Sequence, residues 1–252
     1  MRRHWFFDFD GTLCDTEADI KSAWRAALRN IGRDCPHFDR VYRTGPTLDQ
    51  VVYMLFDDAT PELVDAVKAQ FRTCYDAGGF PATRPYPWVP GWIADLKRQG
   101  CHVYVATNKR WNPTRLLMAK LGWDELFDGY YSFDMFVDSA ATSAAAPAPR
   151  QGFSNGSGRA CRDQPAREAP VCDWAATSAA LPRKALTKAE LLAEVMRLRG
   201  IDPADAVMVG DTKGDVTSGA AAGMYTIGCT WGYGTREELE GADEIYDAER
   251  FA

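Results

Sequence analysis

The stretch FFDFDGTLCDT, residues 6–16, sets Asp8 and Asp10 two positions apart directly after a bulky apolar run. In an extended segment residues i and i+2 point to the same side. Two carboxylates so placed repel, and one is driven toward its protonated form. A sequence accepts that arrangement where a cation sits between the carboxylates or where one proton is shared. The question is whether the rest of the chain supplies such a site.

Working outward, four more short apolar runs read as buried strands: CHVYVA (101–106), GYYSF (129–133), AVMVG (206–210) and YTIGCTW (225–231), beside HWFF (4–7) itself. Between most of them lie segments of helical period. VPGWIADLKRQG ends on Gly100, WNPTRLLMAKLGW sets Leu116, Leu117 and Leu121 on one face, and TKAELLAEVMRLRGIDP carries Leu191, Leu192, Val195, Met196 and Leu198 in register. Strands alternating with helices of this length predict an α/β fold built on a doubly wound parallel sheet.

Two stretches break the alternation. Residues 17–87 read as successive amphipathic helices, a small all-helical domain inserted at the sheet's ligand edge. The core would then be 1–16 and 88–252. Residues 138–182 are rich in Ala, Pro, Ser and Gly, and AATSAAAP (140–147) returns as AATSAALP (175–182). Such composition does not bury enough apolar surface to offset its ordering entropy. The stretch is expected to be a disordered surface loop inserted in the core. It should be tolerated, since each doubling of loop length costs only ~0.6 kcal/mol.

Three polar groups follow three apolar runs: Asp8 after FF, Thr107–Asn108–Lys109 after VYVA, and Asp211 after VMVG. In an open parallel sheet, ligands bind outside the carboxyl ends of the strands. Asp8, Thr107 and Asp211 are therefore expected around one pocket, although they lie about a hundred residues apart in the chain.

Composition narrows the function classes. The 252 residues can bury a full core, and 46% hydrophobic and 25% charged residues are ordinary for a soluble domain. A net charge of −6 argues against a nucleic-acid partner. Seven scattered cysteines without zinc spacing read as reduced thiols. No run reaches the length of a membrane span, and Asp8 and Asp10 cut the N-terminal apolar patch too short for a signal peptide. The expected location is the cytoplasm, with no membrane partner; monomer and homodimer both stay open.

FFDFDGTL, VATNK, the lysine opening TKAEL, and GDTKGD, in that order, resemble the four motifs of the haloacid dehalogenase-like (HAD) hydrolases. RTGPTL, RPYPWVPGWIADLKRQG and TWGYGTREEL are similar to the phosphoglycolate phosphatase-like branch, which carries a helical cap after the first strand. The resemblance implies a Rossmann-like core and a Mg2+-dependent phosphomonoesterase acting on a small phosphate ester. It implies Asp8 as nucleophile forming an aspartyl-phosphate, and Asp10 as general acid and then base. Gly11 would bring backbone amides near the transferred group, and Thr12 would fix the turn.

By the same resemblance Thr107, Asn108 and one lysine hold the phosphate. Lys188 opens the helix where the family lysine sits, and Lys184 lies four residues earlier. Asp8, the Asp10 carbonyl and Asp211 would hold Mg2+ as hard oxygen ligands, with Asp215 either joining them or capping the next helix. Arg43 would meet a substrate carboxylate or second phosphate, or be a plain surface arginine. A phosphomutase on the same scaffold keeps Asp8 and Asp10 and is the nearest rival. A receiver-like phosphate-binding module is the rival of a different class, and the D-x-D-G-T order counts against it.

Overall fold

The computed structural model describes residues 2–135 and 185–251. Strands β1 (His4–Phe7), β4 (His102–Thr107), β5 (Gly129–Ser132), β6 (Ala206–Gly210), β7 (Tyr225–Cys229) and β8 (Glu244–Tyr246) form one parallel sheet in the order β5-β4-β1-β6-β7-β8. β1 is central: Phe7 pairs with Val105 of β4 on one side and Val209 of β6 on the other. The chain runs outward from β1 through β4 to β5, then returns to β6 beside β1. That reversal puts the topological switch point at the carboxyl end of β1, where open α/β sheets bind ligands.

Both faces of the sheet are covered, which is why the strands read as continuous apolar runs. Phe7, Val105 and Val209 face one core with Ile93 and Leu96 of α5 (Val89–Arg98) and Leu117 and Met118 of α6 (Trp111–Leu121). Phe6, Tyr104 and Met208 face the other with Leu191, Leu192, Val195 and Met196 of α7 (Lys188–Arg199). In α6 only Leu117 of the three predicted leucines is fully buried; Leu116 and Leu121 are half-buried. Helix α8 (Lys213–Ala221) lies so close on the sheet that a Cβ at Gly219 would press on Met208.

The helical insertion holds α1 (Glu17–Asn30), α2 (Phe38–Val41), α3 (Leu48–Leu55) and α4 (Pro61–Ala77). Trp24 of α1 packs on Phe71 of α4 with ring centroids 4.7 Å apart. Thr47 and Thr60 cap α3 and α4, and Pro61 stands in the first turn of α4, where a missing N–H costs nothing. A ladder of β2 (Cys14–Asp15) with β3 (Arg84–Pro85) ties its two ends together. β3 lies inside the region read as wholly helical, and two residues are too few to show a strand period.

Asp19 closes the same seam: its carboxylate accepts from the Ala82 and Thr83 N–H groups and from the Thr83 hydroxyl. β8 was not read from the sequence either. The 138–182 insertion and Lys184 lie outside the described residues. Among the described residues no cysteine is paired, and no helix is long and apolar enough to cross a membrane.

Candidate active site

Asp8 follows β1, and its N–H donates to the Val209 carbonyl at 2.9 Å, so the chain is still pinned to β6 as it leaves the sheet. Asp211 follows β6. Asp215 stands in the first turn of α8. A carboxylate oxygen from each of Asp8, Asp211 and Asp215 lies within 4.8 Å of the other two, and all three residues are buried. Lys188, the first residue of α7, brings its Nζ to 2.7 Å from Asp8 Oδ1 and into an ion pair with Asp215 Oδ1. Thr187 caps that helix, with Glu190 completing the capping box, which fixes where α7 begins and so where Lys188 points.

The acids are individually restrained. Asp211 Oδ1 accepts the Thr12 hydroxyl at 2.9 Å, and Oδ2 accepts the Tyr233 N–H at 2.7 Å. Thr12, expected only to fix its turn, therefore also orients Asp211. Asp215 Oδ2 accepts the Thr212 N–H at 3.0 Å and the Thr212 hydroxyl at 2.6 Å, closing a capping box on α8 while Oδ1 faces Lys188. Gly11 has φ +81°, in the left-handed region, and a Cβ there would overlap Asp211. The loop 231–235 lies as close: a Cβ at Gly232 would overlap the Asp211 side chain, and one at Gly234 its carbonyl.

Asp10 stands beside this cluster. Its Oδ1 accepts the Thr16 hydroxyl at 2.6 Å and lies 2.9 Å from Lys109 Nζ. Lys109 is buried, and its backbone N–H donates to the Thr107 hydroxyl at 3.1 Å. Asn108, between them, is exposed. Arg43 is not brought to the acids; its guanidinium donates to the carbonyls of Tyr42 at 3.0 Å and Arg40 at 3.5 Å within its own loop. That loop does approach the core, because Gly45 lies opposite the Thr212 methyl.

The cluster of three carboxylates contains one ammonium group, Lys188, paired with Asp8 and Asp215, which leaves a formal excess of two negative charges. Burial, with Lys188 opposing and Asp215 and Asp10 adding, pushes Asp8 up to about 6. Burial, with the charges of Asp215 and Asp8, also raises Asp211 well above the usual carboxylate range. For Lys188 burial works against the charge, but Asp215 and Asp8 outweigh it and hold the amine protonated. Lys109 stays protonated in the same way, through Asp10 and then Tyr75. An all-oxygen donor set with two uncompensated charges fits a hard divalent cation such as Mg2+.

Lys109, Thr16 and Tyr233 were given no role from the sequence. For Lys109 the signal in the sequence is a lysine two residues beyond the end of a strand, in VATNK. Thr16 and Tyr233 carry no such signal: Thr16 reaches Asp10 across 6 residues, and Tyr233 reaches Asp211 across 22 and Thr16 across 217.

Comparison with known proteins gives the family. The haloacid dehalogenase-like hydrolase profile matches residues 3–151, and a HAD-hydrolase-like profile matches 183–248. The chain belongs to the haloacid dehalogenase-like hydrolases. This HAD hydrolase is 28% identical over 234 residues to a phosphoglycolate phosphatase of Neisseria meningitidis, covering 90% of this chain and 80% of the relative. It is 24% identical over 242 residues to a phosphoglycolate phosphatase of Psychrobacter arcticus, covering 92% and 85%. Such relatives set the HAD hydrolase in the phosphoglycolate phosphatase-like branch, among phosphatases. Its fold superposes on a haloacid dehalogenase-like family hydrolase from Streptococcus pneumoniae with a TM-score of 0.69 at 20% identity, covering 98% and 94% of the two chains.

Proposed function

We propose that this chain is a Mg2+-dependent phosphomonoesterase that hydrolyses a small phosphate ester, phosphoglycolate foremost, through an aspartyl-phosphate on Asp8. The observation that carries the reading is the approach of Asp8, Asp211, Asp215 and Lys188 at the carboxyl edge of the sheet, with Asp10 alongside. The relatives named phosphoglycolate phosphatase support the choice of ester.

The ionised Asp8 carboxylate, whose burial raises it to about 6 in the metal-free protein, is the nucleophile. Its oxygen attacks phosphorus, and the bond from phosphorus to the ester oxygen breaks. Asp10 gives its proton to the departing alkoxide. Asp10, now a carboxylate, takes a proton from water as that water attacks the phosphorus of the aspartyl-phosphate. The Asp8–phosphorus bond breaks, and inorganic phosphate leaves. Lys188 and the Thr107 hydroxyl and amide face the transferred group, where fixed positive charge and donors count most.

Asp8, Asp211, Asp215 and the Asp10 carbonyl would hold Mg2+, which when bound supplies charge neutralisation at the phosphoryl oxygens. The helical insertion, residues 17–87, is read as the cap that limits substrate size and water access.

The test is phosphate release from a panel of small phosphate esters with and without Mg2+, run beside Asp8→Asn. Mg2+-dependent release that vanishes in Asp8→Asn is expected. Release that persists in Asp8→Asn would remove the covalent route.

A further inference from the structure

Lys109 joins two parts of the molecule that do not otherwise explain it. It sits two residues beyond Thr107, the last residue of β4, and its Nζ lies 2.9 Å from Asp10 Oδ1 and 2.6 Å from the hydroxyl of Tyr75. Tyr75 stands on α4 of the helical insertion and is itself buried, stacked on Phe71 and edge-on to Phe80. The ammonium also lies 4.6 Å from the Tyr75 ring centroid. A buried ammonium stripped of water must keep its partners: losing Asp10 would leave its charge uncompensated, and losing the Tyr75 hydroxyl would leave an N–H unsatisfied. Here one partner belongs to the core and the other to the insertion.

The contacts on Asp10 are one-sided. Thr16 and Lys109 both bind Oδ1, and among the described residues no hydrogen bond is made to Oδ2. Two restraints on one oxygen fix the carboxylate's rotation and leave Oδ2 as the oxygen that can exchange a proton with a substrate. We propose that Lys109 is a positioning residue: held by Tyr75, it ties the orientation of Asp10 to the docking of α4 on the core. The consequence for turnover rests on the phosphatase reading; the tie between α4 and Asp10 does not.

Leaving-group dependence tests it. Loss of proton donation slows an alkyl ester such as 2-phosphoglycolate, whose alkoxide leaves only when protonated, and spares p-nitrophenyl phosphate, whose phenolate leaves by itself. The ratio kcat/KM counts only the steps through transfer to Asp8, so the later water attack does not enter. Tyr75→Phe should lower kcat/KM for the alkyl ester about tenfold, a fraction of what a general acid supplies. The aryl ester should lose less than about threefold. Lys109→Met should show the same selectivity with a larger loss, and if it does not fold, Tyr75→Phe decides.

Equal losses on both esters would overturn the positioning role. If the unmutated protein hydrolyses neither ester, the phosphatase reading fails by itself. The tie is then read by hydrogen exchange. Lys109→Met should speed exchange of the α4 amides at least about threefold over those of β6, as expected when one cooperative unit loosens alone. Equal acceleration in both, or none, would overturn it.

Discussion

Tyr233 donates its backbone N–H to Asp211 Oδ2 at 2.7 Å, while its hydroxyl, 2.7 Å from the Thr16 nitrogen, accepts that N–H and donates to Asp15. One residue thus holds an acid after β6 and the turn that carries Thr16, whose own hydroxyl binds Asp10. Glycines on either side allow this, since a side chain at 232 or 234 would strike Asp211. The loop works as a template for the acids.

Gly232→Ala should therefore displace Asp211. Overpacking of this kind costs about 1–3 kcal/mol, and the larger effect should be on the cation. The Mg2+ concentration for half-maximal activity should rise at least about tenfold, because one ligand is misplaced by an ångström or so. Mg2+ titration of phosphate release, beside urea unfolding, separates the two effects. An unchanged Mg2+ midpoint would show that Asp211 does not depend on the loop.

Lys188→Met leaves Asp8 and Asp215 facing each other with no ammonium between them. Removing one partner of a buried ion pair costs about 3–5 kcal/mol. Urea unfolding without metal should show a loss of that order, partly recovered on adding Mg2+. Turnover should fall by about a hundredfold or more, as it does when a preorganised electrostatic donor is lost. Turnover near the unmutated level would point to a lysine other than Lys188 at the phosphate.

The metal's effect on stability should depend on pH. Asp8 moves from an ordinary 3.8 to about 6 on folding, through burial first, so the folded metal-free protein binds more protons than the unfolded chain between those values. Stability held by that proton is present below 3.8 and is lost as pH rises through about 6. Mg2+ competes with the same proton. Asp211, raised in the same direction by burial and by the charges of Asp215 and Asp8, adds to the effect. The rise in Tm on adding Mg2+ should thus be small at pH 5 and larger at pH 7.5. Equal rises at pH 5 and pH 7.5, by calorimetry, would contradict this.

Arg43→Ala should change little. Its guanidinium is exposed and bound to carbonyls of its own loop. Its kcat/KM for phosphoglycolate should stay within about threefold, less than 1 kcal/mol of transition-state energy. A tenfold rise in KM with kcat unchanged would instead make Arg43 a substrate-binding group.

What could be read without the structure was whatever has a local signature. The strands β1, β4, β5, β6 and β7 announce themselves as apolar runs because both faces of the sheet are buried, and α7 does so through Leu191, Leu192, Val195 and Met196 at helical spacing. Asp8 and Asp211 follow strand ends and Thr107 closes one, so a parallel sheet alone predicts one edge for them. The strand β8 and the β2–β3 ladder are two or three residues long and exist only through partners far along the chain.

The tertiary structure decided the rest, because it turned on which charges meet. Lys109 and Lys188 are both lysines near a strand or helix end, and only packing sends one to Asp10 and Tyr75 and the other to Asp8 and Asp215. Arg43 is as charged as either, yet its loop turns it onto backbone carbonyls. A sequence states charge and local period. The energy of a buried charge depends on neighbours within a few ångströms, and those neighbours are set by the fold.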